Sequence, residues 1–171
     1  MTETLPDDFP ELAATVLGPG GKLSVILPAY RLESIIGRNI QTICNLLEGH
    51  LDYEVVAVDD GSDDATGTEI RTAAQHAPAG RVKPVLLPRN GGKGNALRQG
   101  FRASSGTHLL LLDGDLDLSP AQLPAFLQTM RQTRADIVIG SKRHPQSIVD
   151  YPWHRRLASA LYCRLVKLLL G

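Results

Sequence analysis

Only two cysteines, Cys44 and Cys163, occur in 171 residues, and neither has metal-ligand spacing. Both fall in apolar helical patterns, so both are expected to be buried free thiols rather than ligands. Aromatic residues make up only 5% of the chain, and no basic run is interleaved with them. Charge of one sign is also missing: 18 basic and 18 acidic residues cancel to a formal net charge of zero. A broad nucleic-acid footprint is therefore not expected. No apolar run reaches the roughly 18 residues that a transmembrane helix needs. The amino terminus, Met1 to Pro10, is acidic and proline-bearing, and it lacks the basic-then-apolar order of a signal peptide. These absences predict a cytoplasmic location.

What is present is ordinary for a globular chain, with 43% hydrophobic and 21% charged residues. The length suits one domain with a real core. Residues 1–21 read as an irregular leader ending in Gly18-Pro19-Gly20-Gly21. Strands are predicted over Leu23 to Leu27, Tyr53 to Val58, Val82 to Leu87, His108 to Leu112 and Ile137 to Ile139. Pro84 puts the third near a sheet edge. Helices are predicted over Ser34 to Leu47, Asp63 to His76 (capped by Ser62 or Asp63), Lys93 to Ser104, Pro120 to Thr133 and Arg155 to Leu170. Strands alternating with helices imply an α/β fold, a mostly parallel sheet with helices on both faces.

The candidate chemistry lies just after the strands, where ligands bind in such sheets. Asp113, Asp115 and Asp117 alternate after the four leucines Leu109 to Leu112. Carboxylates this close repel unless a cation sits among them, and hard ions such as Mg²⁺ or Mn²⁺ prefer oxygen ligands. A Mg²⁺ ion held this way usually completes its shell with phosphate oxygens and water, so the segment points to a metal–diphosphate site, with a polar turn after a strand as the competing reading. Asp59-Asp60-Gly61-Ser62-Asp63-Asp64 follows the second strand, where acids can accept hydrogen bonds from a nucleobase or ribose; turn and cap chemistry is the competing reading. Arg89 to Asn95 is glycine-rich and precedes a helix, a place that favours anions. It is neither a P-loop nor a dinucleotide fingerprint. Lys142, Arg143 and His144 follow the fifth predicted strand and either neutralise a diphosphate or are solvated surface charge. Tyr151 to Leu170 combines leucines with Arg155, Arg156, Arg164 and Lys167, fitting a membrane-interface helix or an ordinary packed one.

In order and spacing, five of these segments together resemble the family 2 glycosyltransferases of the GT-A fold, in particular the dolichol-phosphate mannose synthase-like, polyprenyl-phosphate branch. They are Val25-Ile26-Leu27-Pro28-Ala29-Tyr30, Val58-Asp59-Asp60-Gly61-Ser62, Gly92-Lys93-Gly94-Asn95-Ala96, Asp113-Gly114-Asp115-Leu116-Asp117 and Gly140-Ser141-Lys142-Arg143. The resemblance implies that Pro28 and Tyr30 border the nucleotide, with Val58 beside them, and that Asp60 contacts the base. It implies that Asp113, Gly114 and Asp115 meet the diphosphate, and that Asp113 and Asp115 hold a Mg²⁺ or Mn²⁺ ion, with Asp117 as an added ligand. Lys93 and Lys142 supply positive charge near the donor. Two departures stand out. Arg31-Leu32 replaces the family's Asn-Glu after the tyrosine, with Glu33 one place late. The usual catalytic base and acceptor-binding part lie beyond the 54 residues that follow Asp117, so no base is identified.

The resulting expectation is a donor-binding part of a metal-dependent inverting glycosyltransferase, residues 22–150, followed by an amphipathic helix over 151–171. Its partners would be a nucleoside diphosphate sugar, a polyprenyl-phosphate acceptor, the cytoplasmic membrane face and a second copy of the chain through the last helix. Two alternatives stand beside it. One is a non-catalytic nucleotide-sugar-binding module. The other is a haloacid dehalogenase-type phosphatase, which also opens its site with four apolar residues and Asp-x-Asp. There the motif stands on the first strand, whereas here it follows the fourth.

Overall fold

The computed structural model describes residues 4–141, with Tyr162 and Arg164 as helical positions further on. The chain divides into two units, Met1–Val138 and Ile139–Gly171, and the sheet belongs to the first. Four strands, β1 (Leu23–Ala29), β2 (Tyr53–Asp59), β3 (Val82–Leu86) and β4 (His108–Leu111), lie in the order β3-β2-β1-β4. All pairings are parallel, with Val25 opposite both Val55 and Leu110. The near-continuous apolar runs of β1 and β2 follow from this, because a central parallel strand is covered on both faces. β3 is an edge strand and tolerates Pro84 there, as predicted.

Alternation along the strands divides the core. Val25, Leu27, Val55 and Ala57 face a large cluster built with α2 (Ile36–Leu47), α3 (Thr66–His76) and α5 (Leu123–Thr133). Val56 and Val58 face the other way, toward Ala96 of α4 (Lys93–Ala103). Gly100 lets α4 sit close to the sheet, since a Cβ there would come 2.4 Å from Ile26 Cγ2. Each fully buried Leu, Ile or Phe in these clusters stabilises the fold by about 1.5–3 kcal/mol.

The leader reading of residues 1–21 is corrected. Phe9–Leu17 forms helix α1, which packs against α5 and buries Phe9, Leu12, Ala13 and Leu17. That spacing is the one-face period of a helix, and Pro10 is tolerated in its first turn. The fifth predicted strand is also corrected. Residues 137–139 form no ladder, and Ile137 is 76% exposed. A three-residue apolar run has β propensity, but its N–H and C=O groups make a strand only when a neighbour pairs with them. Helices α2 and α3 start two or three residues later than predicted, at Ile36 and Thr66. Cys44 is a buried free thiol, as expected, and burial pushes its pKa up. Cys163 lies outside the described residues.

At the amino end of the sheet a buried carboxylate fixes the turn between α4 and β4. Glu54 is 5% exposed. It accepts hydrogen bonds from Ser24 Oγ at 2.6 Å, from Lys22 Nζ at 3.2 Å, and from the Ser105 N–H and hydroxyl. Ser24 Oγ in turn accepts the Gly106 N–H at 2.8 Å. Burial alone would raise the Glu54 pKa, but these donors outweigh it and hold the carboxyl at about 2. Among the described residues no buried side-chain polar atom lacks a partner.

Candidate donor-binding edge

The carboxyl ends of all four strands open on the same edge, and the loops that follow them are tied to one another. After β1 the chain runs through Tyr30, which is 42% exposed, to Arg31. After β2, the Asp60 N–H donates to the Ala29 carbonyl at 2.9 Å. Asp60 itself is only 3% exposed, and its Oδ1 accepts the Gly91 N–H at 3.0 Å. One acid thus joins the β2 and β3 loops. Gly61, at φ 68°, allows that closeness, since a Cβ would sit 2.2 Å from the Arg89 carbonyl carbon. Asp59 Oδ1 accepts the Ser62 N–H at 3.0 Å and closes the turn.

After β4, Leu112 donates its N–H to the Ile26 carbonyl at 3.1 Å, and the chain turns through Asp113, Gly114 and Asp115. Gly114 lies against β1, because a Cβ would meet the Pro28 carbonyl oxygen at 2.7 Å and Leu32 Cδ1 at 2.8 Å. Asn39 of α2 donates its Nδ2 to the Gly114 carbonyl at 2.8 Å and so holds the turn from the helix side. Lys93, the first residue of α4, reaches over to Asp113, with Nζ 2.5 Å from Oδ1. Asp115 Oδ1 accepts the Asp117 N–H at 3.3 Å. Leu116 between them is left-handed at φ 53°.

Pro28, Tyr30, Asp60, Lys93, Asp113, Gly114 and Asp115 therefore share one edge. Val58 does not join them with its side chain, which is fully buried beneath α4. The sheet alternation that points Asp59 one way points Val58 into the core. Lys142, Arg143, His144 and nearly all of 151–171 lie outside the described residues. Among the described residues no three acidic, histidine or cysteine side chains converge on a metal position. Asp113 leans on Lys93, and the Asp117 backbone N–H meets Asp115.

The donor set still fits a hard divalent ion of the open kind. Asp113, Asp115 and Asp117 are exposed, offer only oxygen, and lie on a turn held from two sides. Mg²⁺ characteristically takes one or two carboxylates and keeps its other positions for water and phosphate oxygens. Beside the edge, a cleft of about 460 Å³ runs between the β3–α4 loop and α4, lined by Arg89, Asn95, Arg98 and Gln99 among others and carrying no acid.

Several residues of this edge escaped sequence reasoning. Asn39 gives no signal, because its partner is 75 positions away and nothing in α2 marks it. Thr66 accepts the Leu32 N–H at 2.8 Å. Glu33 accepts the Ala65 N–H at 2.8 Å, so its carboxylate is engaged at the start of α3. Asp64 accepts the Thr66 N–H at 3.0 Å. Ser62 or Asp63 is the expected cap of α3; both instead hold Arg31, and α3 begins at Thr66.

Comparison with known proteins agrees with this arrangement. The family model described as glycosyl transferase family 2 matches residues 24–169. An undecaprenyl-phosphate 4-deoxy-4-formamido-L-arabinose transferase from Enterobacter sp. (strain 638) is 32% identical over 153 residues, covering 88% of this chain and 44% of that protein. A dolichol-phosphate mannosyltransferase from Pyrococcus furiosus is 32% identical over 139 residues, covering 81% of this chain and 38% of that protein. The chain thus spans less than half the length of these curated relatives. Among solved structures, glucosyl-3-phosphoglycerate synthase from Mycobacterium tuberculosis in complex with Mg²⁺ and uridine diphosphate is similar with a TM-score of 0.55 and 25% identity. That match covers 72% of this chain and 42% of that one, and the α/β architecture here is that of the GT-A glycosyltransferases.

Proposed function

The chain belongs to glycosyl transferase family 2, and on that premise we propose that it is the donor-binding part of a metal-dependent, inverting glycosyltransferase. The donor is a nucleoside diphosphate sugar, and the acceptor is a polyprenyl phosphate. The observation that carries the proposal is the convergence of four strand-end loops on one edge, with a recessed acid at Asp60 and exposed acids at Asp113 and Asp115. Membership of this family also removes the phosphatase alternative.

Each residue has a distinct task in this reading. Pro28 and Tyr30 form the rim against which the nucleoside lies, and Asp60 accepts a hydrogen bond from the base with the oxygen not engaged by Gly91. Asp113 and Asp115 hold Mg²⁺ or Mn²⁺, with Asp117 close by. When bound, that ion supplies positive charge to the departing diphosphate. Lys93 is already at the Asp113 carboxylate, and moving its ammonium toward phosphate oxygens exchanges one anion for another at little cost. Preorganised charge of this kind is worth most where charge develops as the sugar leaves. Lys142 adds to it in the same reading. Attack on the anomeric carbon comes from an acceptor phosphate oxygen that is already anionic, which reduces the need for a general base.

The relatives named for polyprenyl-phosphate substrates support the acceptor class, and the solved Mg²⁺–uridine diphosphate complex supports the donor and ion class. No helix among the described residues is long and apolar enough to cross a membrane. A peripheral position on the cytoplasmic membrane face, and self-association through residues 151–171, belong to the proposal. The deciding experiment is transfer of labelled sugar from a panel of nucleoside diphosphate sugars to a polyprenyl phosphate by the full-length gene product. Donor binding with no transfer would favour a binding module over an enzyme.

A further inference from the structure

Arg31 directly follows Tyr30 and is left-handed, at φ 54°. A non-glycine residue keeps that conformation only when its surroundings hold it there, and such residues cluster at ligand clamps. The holding contacts all come from the β2–α3 loop. The Arg31 N–H donates to Ser62 Oγ at 3.0 Å. Its Nε and Nη2 donate to Asp63 Oδ1 and Oδ2 at 2.8 and 2.7 Å, a two-pronged pair. The guanidinium carbon lies 5.4 Å from the centroid of the Tyr30 ring, within cation–π range.

This is a large investment of geometry in an exposed place. The side chains of Arg31 and Asp63 are 58% and 67% exposed, and an exposed ion pair adds little to stability. The Leu32 and Glu33 bonds to Thr66 and Ala65 already join the two loops. What the Arg31 fork adds is control over the ring beside it. A planar guanidinium fixed at both prongs has one orientation, which a lysine cannot reproduce.

We infer that Arg31 is a positioning residue that, braced by Asp63, holds the half-exposed Tyr30 ring at the rim as a wall for a flat nucleobase. The inference rests on the donor-binding reading of this edge and deepens it. The Asp63 carboxylate offsets the guanidinium charge, so the pair presents little net charge to a diphosphate. Its ligand is the base, not the phosphates.

The test is calorimetric titration of the full chain with UDP and with GDP, each with Mn²⁺, beside a melting curve. Arg31→Ala, Arg31→Lys and Asp63→Asn should each weaken binding of the preferred nucleotide about three- to fivefold, the size of one modest cation–π contact. Their melting temperatures should stay close to that of the wild type. In a Tyr30→Ala background, Arg31→Ala should cost nothing further. Wild-type affinity in Arg31→Lys, or unchanged or tighter binding in Asp63→Asn, would show that charge acts rather than orientation and would overturn the inference. So would an equal loss from Arg31→Ala with and without Tyr30. A wild type that binds neither nucleotide would refute the donor-binding reading and this inference with it. Binding by the wild type with indifferent variants would refute this inference alone.

Discussion

Glu54 lies far from the proposed donor edge, and acid should reveal how much the fold depends on it. Its carboxyl is held at about 2 against an ordinary value of 4.5. The folded pKa is the lower one, so the unfolded chain binds the extra proton between these values. Stability from this group is complete above about pH 4.5 and is lost as pH falls toward 2. At 1.36 kcal/mol per pKa unit the full contribution is roughly 3 kcal/mol, of which about 2 kcal/mol is gone at pH 3. For a chain of this size that corresponds to about 4–8 °C in melting temperature. Other carboxylates titrate in the same range, so the informative comparison is with Glu54→Gln. The amide keeps the volume but carries no charge for the Lys22, Ser24 and Ser105 donors to organise around. Melting curves from pH 6 to pH 3 should show the variant less stable at pH 6 and converging on the wild type as pH falls. Parallel curves, with a constant difference between the two proteins, would refute the argument.

Asp60→Ala should weaken nucleoside diphosphate binding and also destabilise the fold by about 1 kcal/mol, because the Gly91 N–H loses its acceptor; calorimetry and a melting curve read the two effects separately. Gly114→Ala should cost about 1–3 kcal/mol and loosen the Asp113–Asp115 turn, since the new methyl meets the Pro28 carbonyl at 2.7 Å. Its nucleotide affinity in the presence of Mn²⁺ should fall further than stability alone explains. The full chain should co-sediment with anionic liposomes more than a version ending at Asp150, each basic residue near the surface contributing about 1 kcal/mol.

The strands were the most legible part of this chain, because a covered parallel strand is written as an unbroken apolar run, as in Val55 to Val58. Position at the ligand edge was legible too, since it follows from strand ends alone. Contacts between loops were not. Ser62 and Asp63 have good capping chemistry, and only the nearness of Arg31 decides that they serve it instead. Glu33 looks one place out of register for a nucleotide contact, and in three dimensions it meets the Ala65 N–H. Three aspartates two residues apart read as one metal set, but the left-handed turn at Leu116 and the Lys93 ammonium at Asp113 gave no signal in the sequence. α1 was hidden by its neighbours: an acidic, proline-bearing start and a glycine-rich end obscured a helical period at Phe9, Leu12, Ala13 and Leu17. Ile137 to Ile139 shows the opposite error, in which propensity alone makes no strand.

The central claim is that the Asp113–Asp115 turn binds a nucleoside diphosphate through a divalent ion. Thermal unfolding of wild type and Asp115→Asn, with UDP and GDP in turn and with and without Mn²⁺, tests it most directly. Nucleotide at 100 times its Kd should stabilise the wild type by about 2.7 kcal/mol when Mn²⁺ is present. Most of that gain should vanish without the ion or in the variant. Equal stabilisation with and without Mn²⁺, or in wild type and variant alike, would contradict the account.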